Sequence, residues 1–420
     1  MTSAAQGAIP FIVAAMVAAT ALSFVLSPFA IRFARQIGAI DRPDATRRVH
    51  RQPVPRGGGL AVVASFVAVG LGALFINGLV GAVPSVRFLQ TEHLAALFGG
   101  TALAAALGFL DDRYQLRARW QLLIQLSLAG VAVAAGISIG FIDNPFQFLG
   151  GPFAFQLIDF TAEVAIVVTV LWIVGMINSI NFIDGLDGLS TGISLIAAVT
   201  LGIVGLTLNL PAVTVLCAVL AGALAGFLPW NFHRARVFIG TTGVYAVGYA
   251  LAVLSILGVG KVAVAMLVLG VPIIDTFWII IRRLSARRSP FTPDRGHFHH
   301  RLLDLGLTHR GAVLVIYGIC ALLAVLSLVL SGTGSLYAFM GVVVGGGLVL
   351  YLMTRRTREA LDARTYEDQE PTDALTVEAA EEERKRAALA ARPKGTTGTT
   401  GTTGTTETTG TEPRPHRPEA

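Results

Sequence analysis

Charge is what this sequence has least of. Across 420 residues only 14% are Asp, Glu, Lys or Arg while 54% are hydrophobic, and the mean hydropathy is +0.68. Soluble domains carry about 25% charged residues, so an ordinary water-soluble globule is excluded. Cysteine is nearly absent too: Cys217 and Cys320 both lie inside apolar runs, which leaves neither a disulfide framework nor a cysteine metal site. Lysine occurs three times, so the positive charge is carried by arginine. The first apolar run has no Lys or Arg before it, and therefore lacks the basic start of a cleavable signal peptide.

What is there is a succession of apolar runs, each about the 20 residues that a helix needs to cross a hydrocarbon core of ~30 Å. Within lipid the backbone must satisfy its own polar groups, so these runs are helices. The expected fold is an all-α polytopic bundle with eleven spans, at residues 8–30, 57–81, 93–110, 120–141, 161–180, 188–207, 211–229, 241–258, 260–281, 312–331 and 336–353. Arginines gather just after the first span, which places the N-terminus outside and residues 31–56 in the cytoplasm. On that plan 30 of the 32 Lys and Arg residues are cytoplasmic, Arg87 and Lys261 being the exceptions, and the C-terminus is cytoplasmic as well. Residues 1–353 form the membrane domain. Residues 354–420 turn charged and polar, end in Gly-Thr-Thr repeats, and are expected to be a disordered tail in which residues 378–389 form a short charged helix.

Carboxylates are scarce in the membrane part, and four of them fall at the cytoplasmic boundary. Asp111 and Asp112 end the third span, and Asp184 and Asp187 lie between the fifth and sixth. Asp-Asp after an apolar run could be a helix end meeting water. The series Asn178, Asn181, Asp184 and Asp187 is harder to explain that way, because three-residue spacing puts all four on one helical face, where they are costly unless they bind something. Hard oxygen ligands at this depth suit Mg²⁺, with Mn²⁺ an alternative, held partly by the phosphates of a substrate. That implies a pyrophosphate. Arg47, Arg48, His50 and Arg56 in the first loop, Arg234 and Arg236, and residues 282–300 offer partners for phosphate oxygens, although plain positive-inside bias accounts for many of the arginines. The run from Pro293 to Arg301 contains His297, His299 and His300; with no cysteine near and arginines flanking, phosphate or nucleotide contact is favoured over zinc.

These blocks, in this order, resemble the polyprenyl-phosphate N-acetylhexosamine-1-phosphate transferases over about residues 25 to 310. They are Asp41-Arg-Pro with Arg47-Arg48-Val-His50 and Pro55-Arg56-Gly-Gly-Gly59, Asp111-Asp112, Asn178 to Leu189, Asn231 with Phe238-Ile-Gly240, and His297-Phe-His299-His300. The eleven-span plan looks more like the N-acetylglucosamine branch than the muramoyl-pentapeptide branch. The resemblance implies a Mg²⁺-dependent enzyme at the cytoplasmic face of the cell membrane. A lipid phosphate (undecaprenyl or decaprenyl) attacks the β-phosphorus of a UDP-N-acetylhexosamine and UMP leaves, which initiates cell-envelope polysaccharide synthesis. It implies that Asp111 and Asp112 orient or deprotonate the lipid phosphate, that Asp112, Asp184 and Asp187 with Asn178 and Asn181 hold metal and nucleotide, and that His297 to Arg301 grip the diphosphate or sugar. No nucleic acid is expected as a partner, and a homodimer is left open.

One departure matters. Where the family usually has Gly-Asp-x-Gly, this chain reads Gly240-Thr241-Thr242-Gly243. Either Thr241 is a weaker metal ligand through its hydroxyl, or another carboxylate substitutes, or the chain is a catalytically silent relative that binds lipid phosphate or nucleotide-sugar. Gln121 also stands where a lysine is common. A secondary transporter is the rival from another class; it would concentrate ionisable groups near the bilayer midplane.

Overall fold

The spans become helices because each is a long run of Leu, Val, Ile, Ala and Gly with its breaks supplied by Gly, Asn, Pro and charged residues. The computed structural model describes residues 3–41, 53–83, 89–151, 155–258, 262–285, 287, 297–330, 333–367 and 382–386. Arg47, Arg48 and His50 lie outside the described residues. By packing, the chain divides into Met1–Thr354 and Arg355–Ala420. The second unit contains the end of the last long helix and a helical turn at 382–386, inside the stretch expected to be a short charged helix.

Thirteen helices are described: α1 Ser3–Gln36, α2 Gly59–Val80, α3 Thr91–Tyr114, α4 Ala118–Ala134, α5 Ala162–Ile183, α6 Leu189–Thr207, α7 Pro211–Asn231, α8 Gly240–Leu257, α9 Val262–Val268, α10 Gly270–Ser285, α11 Phe298–Asp304, α12 His309–Val329 and α13 Thr333–Glu367. Among the described residues nine helices are long and apolar enough to cross a membrane, or ten if α9 and α10 count as one broken span. The protein is an all-α polytopic membrane protein. Two of the eleven expected spans differ in detail. Residues 260–281 are not one straight helix, because α9 and α10 meet at a 79° bend, at Leu269, with Gly270 and Pro272 beside the break. Residues 120–141 yield α4, only 17 residues and so about 26 Å long, before the chain leaves the helix at Gly136 (φ +81°) and enters a hairpin of β3 (Phe141–Asp143) on β4 (Leu157–Asp159).

Helices α7 and α8 form the middle of the bundle, with 83% and 89% of their apolar windows buried, against 17% for α1 and for α13 at the periphery. Lipid offers no hydrophobic drive between helices, so close approach through small residues does the packing. A Cβ at Gly226 of α7 would sit 3.0 Å from Phe24 N of α1, and closer still to Thr20 O, so α1 and α7 touch backbone to backbone. On the other side α3 and α5 pack on α8. The C-terminal ends of α3, α5 and α7 and the N-terminal ends of α2, α6, α8 and α12 are gathered at one end of this bundle, where they carry Asp111, Asp112, Asp184, Asp187, His233, Arg56, Thr241 and His309.

Candidate active site

The floor of the site is a knot of three chain segments far apart in sequence. Phe238 N donates to Pro55 O at 2.9 Å, while Gly58 N and Gly59 N donate to Phe238 O and Ile239 O at 3.0 and 2.9 Å. The Pro-Arg-Gly-Gly-Gly block therefore lies along the entry to α8, with Arg56 beside it. Arg56 is anchored to Asp41 by an ion pair of 2.7 Å. From α3, Asp112 closes the knot: Oδ1 accepts from Thr241 N at 2.9 Å, and Oδ2 from Thr242 N at 2.9 Å and Thr242 Oγ1 at 2.6 Å. The carboxylate thus caps the N-terminus of α8 from another helix, satisfying amides that would otherwise be unpaired and opposing the positive end of the helix dipole. Gly240 has φ +68°, and a Cβ there would lie 2.5 Å from Asp112 Oδ2, so both its backbone shape and its lack of a side chain are required. Asp111 turns the other way, its Oδ1 accepting from Leu116 N and Gln121 Nε2, both at 2.9 Å. Gln121, in place of a lysine, is a neutral clamp on this carboxylate.

Opposite lies the turn between α5 and α6. Here the helical-face expectation needs correction. Helix α5 stops at Ile183, so Asp187 is not on its face but in a turn that Gly188 (φ +78°) reverses into α6. The two glycines of Asp-Gly-Leu-Asp-Gly break the helix that the three-residue spacing would continue. Asp184 Oδ1 accepts from Ser190 Oγ at 2.5 Å. Its carboxyl is pushed from 3.8 up to about 7, chiefly by loss of water, with Asp112 and Asp187 adding repulsion against the pull of Ser190 and Arg56. Asp112, Asp187 and Arg56, from three segments of the chain, are thus all near enough to act on the charge of Asp184.

Asp187 Oδ2 lies 3.1 Å from both Ala235 N and His233 Nδ1, and Asp187 N donates to His309 Nε2 at 2.9 Å. The His233 and His309 rings stack at 4.6 Å and, with Arg234, Thr308 and Arg310, line an open cavity of about 560 Å³. Neither histidine was picked out from the sequence, where each stands alone among arginines.

The histidine segment lies beside this turn. His299 is 1% exposed, both its ring nitrogens lack a hydrogen-bond partner among the described residues, and the ring packs over Gly185, which follows Asp184 in the chain. Burial, together with the neighbouring His300, His297 and His309, holds it neutral, well below its ordinary value of 6.5. His297 is held by Asp275 of α10 and packs against the Phe182 ring. The His300 ring lies 4.4 Å from that of His299. Arg301 points elsewhere, Nη1 donating to Leu350 O of α13 at 2.9 Å.

Set beside known proteins, the sequence has clear relatives. The profile of glycosyl transferase family 4 matches residues 94–259. A probable undecaprenyl-phosphate N-acetylglucosaminyl 1-phosphate transferase of Bacillus subtilis is 37% identical over 76% of this chain and 85% of its own length. The chain belongs to glycosyl transferase family 4. A decaprenyl-phosphate N-acetylglucosaminephosphotransferase of Mycobacterium tuberculosis (strain CDC 1551 / Oshkosh) is 33% identical over 78% of this chain and 86% of its own. An undecaprenyl-phosphate alpha-N-acetylglucosaminyl 1-phosphate transferase of Escherichia coli K12 is 27% identical over 70% and 77%.

In this family 4 protein the expected ligands divide into committed and available groups. Asn178 is committed: Nδ2 donates to Gln125 Oε1 at 2.6 Å and to Val174 O, while Oδ1 accepts from Gln125 Nε2, an amide pair between α5 and α4. Asn231 is committed as well, joining Val237 O to Thr191 Oγ1. Both Asp112 oxygens serve α8. Asp184 Oδ2, Asp187 Oδ1, the Asn181 amide and the Thr241 hydroxyl take no hydrogen bond among the described residues. Oxygen donors of this kind, one of them a carboxyl whose ionised form burial disfavours, fit a hard divalent cation. Asp187, His233 and His309 offer ligand atoms within 4.8 Å of one another, but the His309 Nε2 lone pair already accepts from Asp187 N, so this trio is a hydrogen-bonded cluster rather than a nitrogen-rich cage.

Proposed function

We infer that this family 4 enzyme transfers N-acetylglucosamine-1-phosphate from UDP-N-acetylglucosamine to a polyprenyl phosphate. A non-bridging oxygen of the lipid phosphate forms a bond to the sugar-bearing phosphorus, the bond from that phosphorus to the UMP oxygen breaks, and UMP departs with the electron pair. The named activities of the relatives support the donor sugar and the lipid phosphate acceptor. The closeness of Asp112, Asp187 and Arg56 to Asp184, from three segments of the chain, with the buried His299 ring packed on Gly185 beside it, is the observation that carries the reading.

A phosphoryl transfer of this kind is governed by position and charge. A Mg²⁺ or Mn²⁺ ion, held by Asp184, Asp187, Asn181 and Thr241, would neutralise the diphosphate. Asp112 keeps the start of α8, and Thr241 with it, in place, and Asp111 fixes the turn from α3 into α4. Arg56, beside the carboxylates, and the cationic cavity at Arg234 and Arg310 suit the anionic ends of the two substrates. Arg47, Arg48, His50, His297, His299 and His300 belong to the substrate-gripping set on the family resemblance. The arginine bias supports a cytoplasmic site and a multi-pass cell-membrane enzyme with its N-terminus outside.

The test is UMP release by purified protein from UDP-N-acetylglucosamine, polyprenyl phosphate and Mg²⁺, with Asp184→Asn as the comparison. Release should require all three components and fall by about 10²-fold or more in the variant, the scale expected when a group that stabilises transition-state charge is lost. Equal turnover by Asp184→Asn would remove the carboxylate cluster from the mechanism.

A further inference from the structure

Asp275 belongs to none of the carboxylate pairs that mark the site in the sequence, and it is 1% exposed within α10. Its two oxygens have separate tasks. Oδ2 lies 2.8 Å from His297 Nδ1, and Oδ1 accepts from Phe298 N at 2.8 Å. His297 is the residue on which α11 begins. Its ring stacks nearly parallel on that of His299, with centroids 5.5 Å apart and 10° between planes, and lies 6.1 Å from the Phe182 ring of α5, two residues before Asp184. One buried carboxylate thus holds the first histidine of the segment and the first amide of α11 together.

Resting on the transferase reading, we propose that Asp275 is the positioning residue of the site: it fixes His297 with the proton on Nδ1, leaves the Nε2 lone pair to accept from a hydroxyl or amide N–H of the donor's sugar, and aligns His299 through the shared start of α11. The chemistry of the two neighbours supports this. Phe298 N–H can only donate, so it must face an acceptor oxygen. If His297 Nδ1–H also donates, each of the two donors meets its own acceptor oxygen, and an aspartate is the shortest side chain that supplies two. An asparagine keeps the shape but offers one oxygen and one amide, so it either abandons Phe298 N or drives the His297 proton to Nε2. Carboxylate-to-histidine support of this kind sets which nitrogen carries the proton. Asp275 lies six residues after Leu269, where α9 and α10 meet at 79°.

The experiment has two arms. In the first, ¹⁵N spectra of histidine-labelled full-length protein in lipid are recorded, and the His297 signals are identified by their loss in His297→Asn. The wild-type ring should be protonated at Nδ1, and Asp275→Asn should shift that proton. Protonation at Nε2 alone in the wild type would overturn the proposal, and this arm needs no turnover. The second arm is a double-substitution cycle on UMP release. Asp275→Asn should lower kcat by about 10–100-fold with little change in KM for polyprenyl phosphate. The double variant with His297→Asn should be no slower than His297→Asn alone, because the carboxylate acts through that ring. Losses that multiply would show a general structural role and refute the assignment. If Asp275→Asn does not fold, Asp275→Glu, which keeps both acceptor oxygens, replaces it in the cycle and should retain more activity than His297→Asn. Absence of UMP release in the wild type would defeat the transferase reading and leave the proton placement to stand or fall on the spectra.

Discussion

Replacing Gly185 with alanine should cost activity far more than stability. Gly185 has no positive φ, so the backbone accepts an L side chain there. A Cβ would lie 2.7 Å from His299 Cε1 and closer still to Nε2. Ordinary contacts between such atoms begin near 3.5 Å, so the ring or the turn must yield by about 1 Å. The ring is buried in a helix of seven residues, whereas the turn carries Asp184 and Asp187, so either adjustment moves a functional group. Overpacking of this size costs about 1–3 kcal/mol, offset by about 0.4–1 kcal/mol from the stiffer unfolded chain. A displacement of about 1 Å at reacting groups can cost about 10²-fold in rate. Gly185→Ala should therefore purify with a melting temperature within a few degrees of wild type and release UMP about 10²-fold more slowly. Gly175→Ala is the control: this glycine of α5 has nothing within 4 Å of its virtual Cβ, so activity should be unchanged and stability raised by up to about 1 kcal/mol. Relief is also expected, in that Gly185→Ala combined with His299→Ala should be no slower than His299→Ala alone. Wild-type turnover by Gly185→Ala would mean that the observed seat of His299 has no part in transfer.

Two further outcomes concern charge. Thr241→Asp should lower the Mg²⁺ concentration for half-maximal UMP release by about tenfold or more, since one added charge near a bound cation is worth more than about 1.4 kcal/mol; an unchanged Mg²⁺ requirement would exclude Thr241 from the metal's surroundings, and turnover appearing only in the variant would mark the chain as a silent relative. Because the folded Asp184 carboxyl sits at about 7 and its ordinary value is 3.8, the folded chain holds a proton between about pH 4 and 7 that the unfolded chain has lost, so cation-free stability from this group falls as pH rises through that window. Titration calorimetry at pH 6 in buffers of different ionisation heat should show Mg²⁺ releasing more protons per site than at pH 8.5, and equal release at both would refute the raised carboxyl.

The spans and the carboxylate blocks were legible because each is a local property. Hydropathy marks a membrane helix without reference to its neighbours. The reading faltered where two signals competed. From Asn178 to Asp187 the three-residue spacing argues for one helix, yet Gly185 and Gly188 lie inside it, and the glycines prevail. Between residues 260 and 281 hydropathy is continuous, so the break at Leu269 was visible only as Gly270 followed by Pro272. Asp275 was hidden by the same run, though a lone carboxylate in an apolar span was itself a signal. The structural roles of Asn178 and Asn231 were out of reach, because their partners Gln125 and Thr191 lie 53 and 40 residues away.

The substitution at 241 acquires a physical sense once Asp112 is placed. A helix N-terminus carries about half a positive charge, and Asp112 spends its carboxylate on the start of α8. Arg56 is already paired with Asp41, so its charge is only partly available to the cluster. What remains around the candidate cation is Asp184, short of compensation and raised to about 7, and Asp187, with Oδ1 to spare. A third carboxylate at 241 would add a stronger ligand, but without a cation it would also add repulsion to a cluster that Asp184 shows is already hard to ionise. Threonine keeps a neutral oxygen at the same helix position and leaves the cation-free cluster less strained. The expected consequence is a folded state that depends less on its metal, joined to weaker metal binding. A direct comparison of thermal stability with and without Mg²⁺ should therefore show a larger metal-induced rise in Thr241→Asp than in the wild type.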